Sequence, residues 1–408
     1  MVEEHLDELE RLVDTAGAEV VGRALQELVK AKPATLVGSG FLGRLAERCE
    51  DEDIDSLVFD EDLTASQIRN IEREVSRPVK VLDRAAVILD IFAQHARSRE
   101  AQTQVELAQL SYLLPRLTRR WQHLSRQAGG IGTRGVGETQ LEIDRRLIKR
   151  RMAQLRGKLV VIERDRRLRR ERRADLPTVA IVGYTNAGKS SLFRRLTRAD
   201  VLVEDRLFAT LDPRARRVAL GESLTAVLTD TVGFIRKLPH DLVAPFRSTL
   251  EEATVADLVL HVVDASHAAW EEHLRVGEEV LGGLDVERGR VLVVLNKIDL
   301  LGAGYPSANS RRPGSVSLSA ATGEGIAGLK AVIRSTVLSA PDVAILRVPL
   351  DEPELVQRAV SLPHQLARRF ENGTVELAVR VDPRFLVNAG LTQYRVGYWG
   401  DHDGEGVV

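Results

Sequence analysis

The sequence predicts an α/β protein of several domains, with a doubly wound sheet in its largest domain. Two observations indicate this fold class. Apolar runs of strand length alternate with helical patterns along most of the chain, the order typical of a largely parallel sheet. In addition, 408 residues exceed what one ordinary hydrophobic core accommodates. We therefore divide the chain into predicted domains at residues 1–111, 112–174, 175–340 and 341–408.

The composition restricts the class of protein further. The hydrophobic content of 44% is normal for a globular protein, and Cys49 is the one cysteine in the sequence. A single cysteine excludes an intramolecular disulfide and suits a reducing compartment. No stretch approaches eighteen consecutive apolar residues, so the sequence predicts no membrane span. We expect a cytoplasmic protein that is a monomer in solution.

Charge is distributed unevenly along the chain. Residues 1–111 carry 13 Lys and Arg against 23 Asp and Glu, whereas residues 112–173 carry 19 against 6. A basic block of this size in a nearly neutral chain is a candidate face for binding a polyanion. The alternative is a solvated helix surface with no partner.

The first hundred residues predict a small α/β domain. Short apolar runs there have the length of strands, and two segments have the apolar spacing of helices. The predicted strands are Val20–Val29, Leu57–Phe59 and Val79–Leu82, and the predicted helices are Leu42–Cys49 and Ser66–Val75.

Residues 112–174 predict a basic helical hairpin. Apolar residues recur every three or four positions between Thr103 and Leu124, and a second apolar stripe runs from Leu141 to about Arg173. Two long helices joined by a loop are expected to pack antiparallel. The loop, Gly129–Gln140, contains five glycines within nine residues, which are costly to order. This composition favours ordering on a partner over a merely flexible connector.

The segment Gly183–Ser190 has the features of a P-loop. It follows the apolar run Val179–Val182 and opens a helix, so its backbone N–H groups can surround phosphate oxygens. Lys189 is predicted to reach the β- and γ-phosphates, and the Ser190 hydroxyl to bind Mg²⁺. The nucleotide-binding residues predicted here are Gly183, Asn186, Ala187, Gly188, Lys189, Ser190 and Ser191.

A second group of residues is predicted to read the γ-phosphate and the metal. Asp230 follows the strand Ala226–Thr229 and can hold Mg²⁺ through water, while the Gly233 amide can meet the γ-phosphate. A mobile loop must add a threonine, for which Thr210 is better placed than Thr197 or Thr225. The predicted metal ligands are Ser190, Thr210 and Asp230, and the predicted catalytic residues are Lys189, Thr210 and Gly233.

The segment Asn296-Lys297-Ile298-Asp299 predicts guanine recognition. The Asp299 carboxylate can accept hydrogen bonds from both N1–H and N2–H₂ of guanine, a donor pair that adenine lacks. Lys297 would lie along the base plane, and Asn296 would brace the P-loop. Ser319 and Ala320 end the next strand, where the Ala320 amide can donate to guanine O6. The predicted ligand is GTP, with GDP as the product.

Two further features complete the sequence prediction. Phe234 stands where many small GTPases have the glutamine that orients the attacking water, so slow intrinsic hydrolysis is expected. Beyond Pro341, residues 342–408 predict a small α+β unit. Its elements are the strand Ile345–Val348, the helix Glu354–Arg369 and the strand Thr374–Val381.

Taken together, the loop Gly129–Glu142 and the segments 183–190 and 230–252 resemble the HflX family of GTPases. The resemblance implies an α/β part and two antiparallel helices before the GTPase domain. It also implies nucleotide-gated binding to the large ribosomal subunit and its rRNA, and a role in splitting ribosomes. The rRNA-contacting residues it suggests are Arg134, Arg145, Arg146, Lys149 and Arg150. An RNA-binding regulatory module that leaves ribosomes intact is the alternative.

Overall fold

The chain, as a computed structural model, forms two compact units. The structure describes residues 2–75, 78–117, 140–171, 176–197, 207–208, 214–221, 223–236, 252–301 and 312–397. The first unit holds the described residues up to 163 together with Leu207 and Phe208, and the second holds the remainder. Among the described residues, no helix combines the length and apolar character needed to cross a membrane.

The first unit contains a small parallel sheet of two strands. Thr64 begins one of its helices with a complete capping box, accepting from the Gln67 N–H while the Gln67 side chain accepts from the Thr64 N–H. Its strands are β1 (Ser56–Phe59) and β2 (Lys80–Asp83), and its first helices are α1 (Val2–Thr15), α2 (Ser39–Asp51), α3 (Ala65–Glu74) and α4 (Arg84–His95).

The predicted strand Val20–Val29 is wrong. Residues 18–28 form no helix or strand, and Val21, Leu25 and Val29 are exposed. An apolar run becomes a strand only where a neighbouring strand pairs with it and a core covers one face.

Two helices run antiparallel within the first unit, as the apolar stripes predicted, and the second of them continues past residue 163. They are α5 (Arg99–Leu113) and α6 (Gln140–Glu171). Arg151 pairs with Glu106 of α5 at 2.6 Å. Arg145, earlier in α6, donates to the carbonyl of Leu117, which follows α5, at 3.3 Å. An earlier residue of α6 thus contacts a later residue of the other segment, as expected of antiparallel helices. The shared core is formed by Leu107, Met152 and Leu155. Pro115 lies in a 3₁₀ turn that ends α5, and the glycine-rich loop up to Thr139 lies outside the described residues.

The second unit is built on a mixed sheet of six strands in the order β4-β5-β3-β6-β7-β8. All neighbours are parallel except β4 and β5, which form an antiparallel edge. The strands are β3 (Thr178–Gly183), β4 (Arg214–Gly221), β5 (Leu224–Asp230), β6 (Leu258–Asp264), β7 (Val291–Asn296) and β8 (Val316–Ser317), with helices α7 (Lys189–Thr197), α8 (Trp270–Gly283) and α9 (Ile326–Leu338).

The end of the chain adds a second sheet to this unit, in the order β10-β11-β9-β12. Ile345, Leu366 and Ala378 of this sheet share one apolar core with Leu228 of β5. A domain boundary at residue 341 therefore stays a prediction. The elements are β9 (Val343–Pro349), α10 (Pro353–Val360), β10 (Gln365–Glu371), β11 (Thr374–Arg380), α11 (Pro383–Ala389) and β12 (Arg395–Val396).

The predicted helix Glu354–Arg369 is wrong in its second half. The helix ends at Val360, and residues from Gln365 onward form β10, paired antiparallel with β11. Asn372 and Gly373 join the two strands with φ of 49° and 74°, the left-handed geometry of a tight hairpin turn. The Asn-Gly pair was the local signal for this hairpin.

Candidate nucleotide-binding site

Two glycines of the P-loop are required by close contacts. The loop joins β3 to α7 at the carboxyl edge of the central sheet. Gly183 has φ of 147°, and a Cβ there would lie 2.1 Å from the Val262 carbonyl oxygen. Gly188 has φ of 89°, and its Cβ would lie 2.2 Å from Nδ2 of Asn296. A side chain at either position would displace a neighbouring strand or the base-recognition segment.

Lys189 is a buried cation. Its Nζ donates to the carbonyl oxygen of Tyr184 at 2.7 Å, and 7% of the residue is exposed. The pKa of Lys189 is lowered to about 8, chiefly by burial, with Asp230 raising it and the charge of Lys297 lowering it. The site thus keeps an incompletely compensated positive charge where a phosphate group would stabilise it.

Ser190, in the first turn of α7, lies beside Asp230, the last residue of β5. The Ser190 hydroxyl donates to Oδ2 of Asp230 at 3.0 Å. A hydroxyl and a carboxylate are oxygen donors of the kind that Mg²⁺ prefers, so these residues fit that ion. Thr210, the third predicted ligand, lies outside the described residues. Its neighbour Phe208 is buried, with its ring edge-on to Phe92 at 4.8 Å in the first unit.

The segment after Asp230 is joined to the P-loop through its backbone. The Phe234 N–H donates to the Gly183 carbonyl at 2.9 Å, and the Thr185 N–H donates to the Phe234 carbonyl at 2.7 Å. This brings Gly233 beside the P-loop lysine, since a Cβ there would lie 2.9 Å from Nζ of Lys189.

The Phe234 side chain is part of the core. It is 4% exposed, and its ring lies edge-on to His261 with a centroid separation of 6.3 Å. His261 is itself fully buried in β6, and burial lowers its pKa to about 4, so the imidazole is neutral at physiological pH. The position that holds a water-orienting glutamine in many GTPases therefore serves packing here.

Asn296 links the base-recognition segment to the P-loop, as the sequence led us to expect. Its Nδ2 donates to the Ala187 carbonyl at 2.8 Å, and its Oδ1 accepts from the Ala320 N–H at 3.0 Å. The Ala320 donor is thus already engaged, and its predicted contact with guanine O6 stays a prediction. Ser319 is buried, whereas Asp299 is exposed in a short 3₁₀ turn after Lys297.

Three family models cover most of the chain. "GTP-binding GTPase N-terminal" matches residues 3–93, "GTP-binding GTPase Middle Region" matches residues 95–173, and "50S ribosome-binding GTPase" matches residues 178–297. GTPase HflX of Magnetococcus marinus is 51% identical over 336 residues, covering 81% of this chain and 77% of that protein. GTPase HflX of Escherichia coli is 43% identical over 385 residues, covering 93% and 90%.

The chain belongs to the HflX family of GTPases. It binds GTP and hydrolyses it to GDP and phosphate. A solved GTP-binding protein of Sulfolobus solfataricus, in complex with GDP, is 27% identical with a TM-score of 0.42, covering 82% of this chain and 95% of that one.

Two residues of this HflX-family site were missed by sequence reasoning. Asp264 at the end of β6 pairs with Lys297, with 2.7 Å between Oδ2 and Nζ. Arg195 of α7 donates through Nε to the Ala320 carbonyl at 3.0 Å and through a terminal nitrogen to the Ala321 carbonyl. In both contacts the two residues are distant in the sequence, so local sequence patterns give little indication of the pairing. The one available clue was that Asp264 ends an apolar run at the same edge of the sheet as Asn296.

The predicted RNA-binding residues lie on α6 of the first unit. Arg145, Arg146, Lys149 and Arg150 are all exposed. Arg134, in the glycine-rich loop, lies outside the described residues.

Proposed function

We propose that this GTPase binds the large ribosomal subunit through phosphates of its rRNA, and that its GTP-bound form promotes separation of the ribosomal subunits. The observation that carries the proposal is the basic exposed face of α6. The description of the matching family model as a 50S ribosome-binding GTPase supports the same partner.

The α6 helix presents many basic side chains at its surface. Met152 and Leu155 are buried against Leu107 of α5, so the apolar stripe is used inside the protein. Of the described positions of α6 that are exposed, nine carry Arg or Lys and three carry Asp or Glu. The surrounding residues 112–173 have 19 basic against 6 acidic residues. Lys and Arg that neutralise RNA phosphates release condensed counterions, which makes such a face effective for binding nucleic acid.

Mg²⁺ is proposed to be held by Ser190, Asp230 and Thr210. The ion, when bound, neutralises charge that develops on the β- and γ-phosphates. Ser190 and Asp230 are already 3.0 Å apart through a hydrogen bond, so little rearrangement of the chain is needed to present both oxygens. Lys189 would add a second positive charge on the phosphates.

The proposed switch depends on the γ-phosphate. Thr210 and the Gly233 amide would contact that group in the GTP form and be released from it after hydrolysis. The Gly233 segment is hydrogen-bonded to the P-loop through Phe234, which supports the proposal that the nucleotide acts on its position. Affinity for the ribosome is thereby proposed to differ between the GTP and GDP forms.

Sedimentation distinguishes this function from the alternative of an RNA-binding module. Intact ribosomes are incubated with the protein and a non-hydrolysable GTP analogue and then separated on sucrose gradients. Free subunits should increase with the analogue and not with GDP. If the protein sediments with intact ribosomes without producing free subunits, the splitting role is wrong and the binding module remains.

The contribution of α6 is tested by removing two of its charges. Lys149→Ala with Arg150→Ala should flatten the slope of log K against log[salt] for large-subunit binding, by roughly 0.7 to 0.9 for each phosphate that is no longer neutralised. Affinity for GTP should not change. Arg216→Ala with Arg217→Ala removes the same charge from the exposed edge strand β4 and is the matched control. Equal slopes in the two double variants would contradict the proposed RNA face.

The glycine-rich loop is tested separately, because its role rests on composition. Gly135→Pro and Arg134→Ala should reduce stimulation of GTP hydrolysis by large subunits and leave the intrinsic rate unchanged. Proline restricts the backbone and removes an N–H, whereas alanine removes the arginine charge. Full stimulation in both variants would leave the loop without a role in docking.

A further inference from the structure

We infer that Asp264 is a positioning residue for GTP binding, acting by holding Lys297 over the P-loop. Asp264 is the last residue of β6, and in the sheet it lies directly beside Asn296, the last residue of β7. The Asp264 carboxylate lies 2.7 Å from Nζ of Lys297 and is not among the residues expected to touch the nucleotide.

The carboxylate of Asp264 is held in place from its other side. Its Oδ1 accepts from the Ser266 N–H at 3.0 Å and from the Ser266 hydroxyl at 2.6 Å. Burial raises the pKa of Asp264, but hydrogen bonds from Lys297 and Ser266 outweigh that effect and the pKa is lowered. Asp264 is therefore an ionised, oriented partner for the ammonium group at neutral pH.

Lys297 needs such a partner because its conformation is costly. Its φ of 63° is in the left-handed region, which is unusual for a residue with a long side chain. The side chain extends from the end of β7 to the P-loop, since a Cβ at Gly188 would lie 4.0 Å from Cε of Lys297. A lysine side chain has many rotamers, so this extended path has an entropic cost unless the ammonium is bound.

The ion pair with Asp264 fixes the Lys297 side chain within the protein itself, so this entropy need not be lost on nucleotide binding. In the position predicted for Lys297, the aliphatic stem lies along the guanine plane, and the ion pair fixes the end of that stem. Preorganisation of this kind increases affinity without adding a contact to the ligand. Asp264 also neutralises Lys297, whose charge lowers the pKa of the nearby Lys189.

The test measures nucleotide release and hydrolysis separately in Asp264→Asn. This variant is isosteric but uncharged, and dissociation of a fluorescent GDP analogue should become about tenfold faster, the change expected on removing one charged hydrogen bond. The single-turnover hydrolysis rate at saturating GTP should stay at the wild-type value. Asp264→Glu keeps a carboxylate and should give an intermediate dissociation rate.

The partner is identified by a double-mutant cycle with Lys297→Met, which keeps the apolar stem and removes the charge. If Asp264 acts through Lys297, adding Asp264→Asn to Lys297→Met should cause little further acceleration. Unchanged release in Asp264→Asn, additive effects in the cycle, or equal release rates in the Glu and Asn variants would overturn the inference.

Asp257, which immediately precedes β6, provides a matched control. Its Oδ2 accepts from the Thr178 N–H at 2.6 Å and its Oδ1 pairs with Arg380 at 2.9 Å, so it is a similarly bonded carboxylate. Asp257→Asn should lower thermal stability and leave nucleotide release unchanged. A tenfold faster release in this control would mean that the effect is structural, and the inference would be withdrawn.

Discussion

The side-chain amide of Asn296 donates a 2.8 Å hydrogen bond to the carbonyl oxygen of Ala187. This bond joins the predicted base-recognition segment to the P-loop. Both partners are buried, with relative exposures of 1% each, so the bond is protected from competition with water. We therefore expect a change at this bond to affect both predicted parts of the nucleotide site.

Gly188→Ala should weaken GTP binding by disrupting this link. The new Cβ would lie 2.2 Å from Nδ2 of Asn296, so the amide must move away from Ala187. The φ of 89° at this position adds backbone strain for any residue other than glycine. We expect a decrease in GTP affinity of about tenfold or more, measured by fluorescence titration.

Gly282→Ala in α8 is the control for this substitution. Its Cβ would meet no atom within 4 Å, so only a small change in helix stability is expected. If both variants bind GTP equally well, the contact between Gly188 and Asn296 does not limit affinity.

The affinity for GTP should fall as the pH rises above about 8. The pKa of Lys189 in the nucleotide-free protein is lowered to about 8, mainly by burial. Bound phosphates favour the ammonium form and raise that pKa again. Below pH 8 the lysine is already protonated and affinity is constant, whereas above it binding must take up a proton. Affinity should then decline by up to about tenfold per pH unit.

Calorimetry at pH 7 and at pH 8.5, in two buffers with different ionisation enthalpies, measures this uptake of protons directly. Lys189→Ala is the control, because it lacks the titrating group and should bind weakly with no such pH dependence. Proton uptake that is the same at both pH values would contradict the lowered pKa.

Asp299→Asn should change which base the site prefers. The carboxylate is predicted to accept from guanine N1–H and N2–H₂, whereas an asparagine amide can donate to the 2-oxo group of xanthine. We expect weaker GTP binding and a preference for xanthosine triphosphate in a competition assay. Wild-type selectivity in this variant would show that Asp299 does not read the base.

Phe234→Gln should fail to increase the intrinsic rate of hydrolysis. The ring is 4% exposed and packs against His261, so a glutamine there replaces a core side chain. Burying an amide in place of a ring should lower the free energy of unfolding by about a few kcal/mol, and with it the melting temperature. Single-turnover hydrolysis and a thermal melt measure the two effects. A faster rate would mean that residue 234 can reach the attacking water.

The sequence by itself determined the elements that depend on local chemistry. The bounds of β6 and β7 follow their apolar runs, and the glycines of the P-loop stand where positive φ is required. The antiparallel packing of α5 and α6 followed from two apolar stripes. The pattern that predicts each of these features lies within one segment of the chain, so it can be recognised without knowing which other segment packs against it.

Strand pairing was less accessible from the sequence. Val20–Val29 has a strand composition but no pairing partner, whereas β10 continues a helical pattern and becomes a strand because β11 pairs with it. The β propensity of a segment depends on its neighbours in the sheet, and these are distant in the chain.

The connections within the nucleotide site were decided only by the tertiary structure. The parallel register of β6 and β7 sets Asp264 beside Asn296, and from there its carboxylate reaches Lys297. Arg195 reaches Ala320 because α7 and the loop after β8 meet at the same edge of the sheet. A sequence motif predicts which residues contact the ligand. Which other side chains support those residues depends on strand register and helix packing, and these are determined by the whole domain.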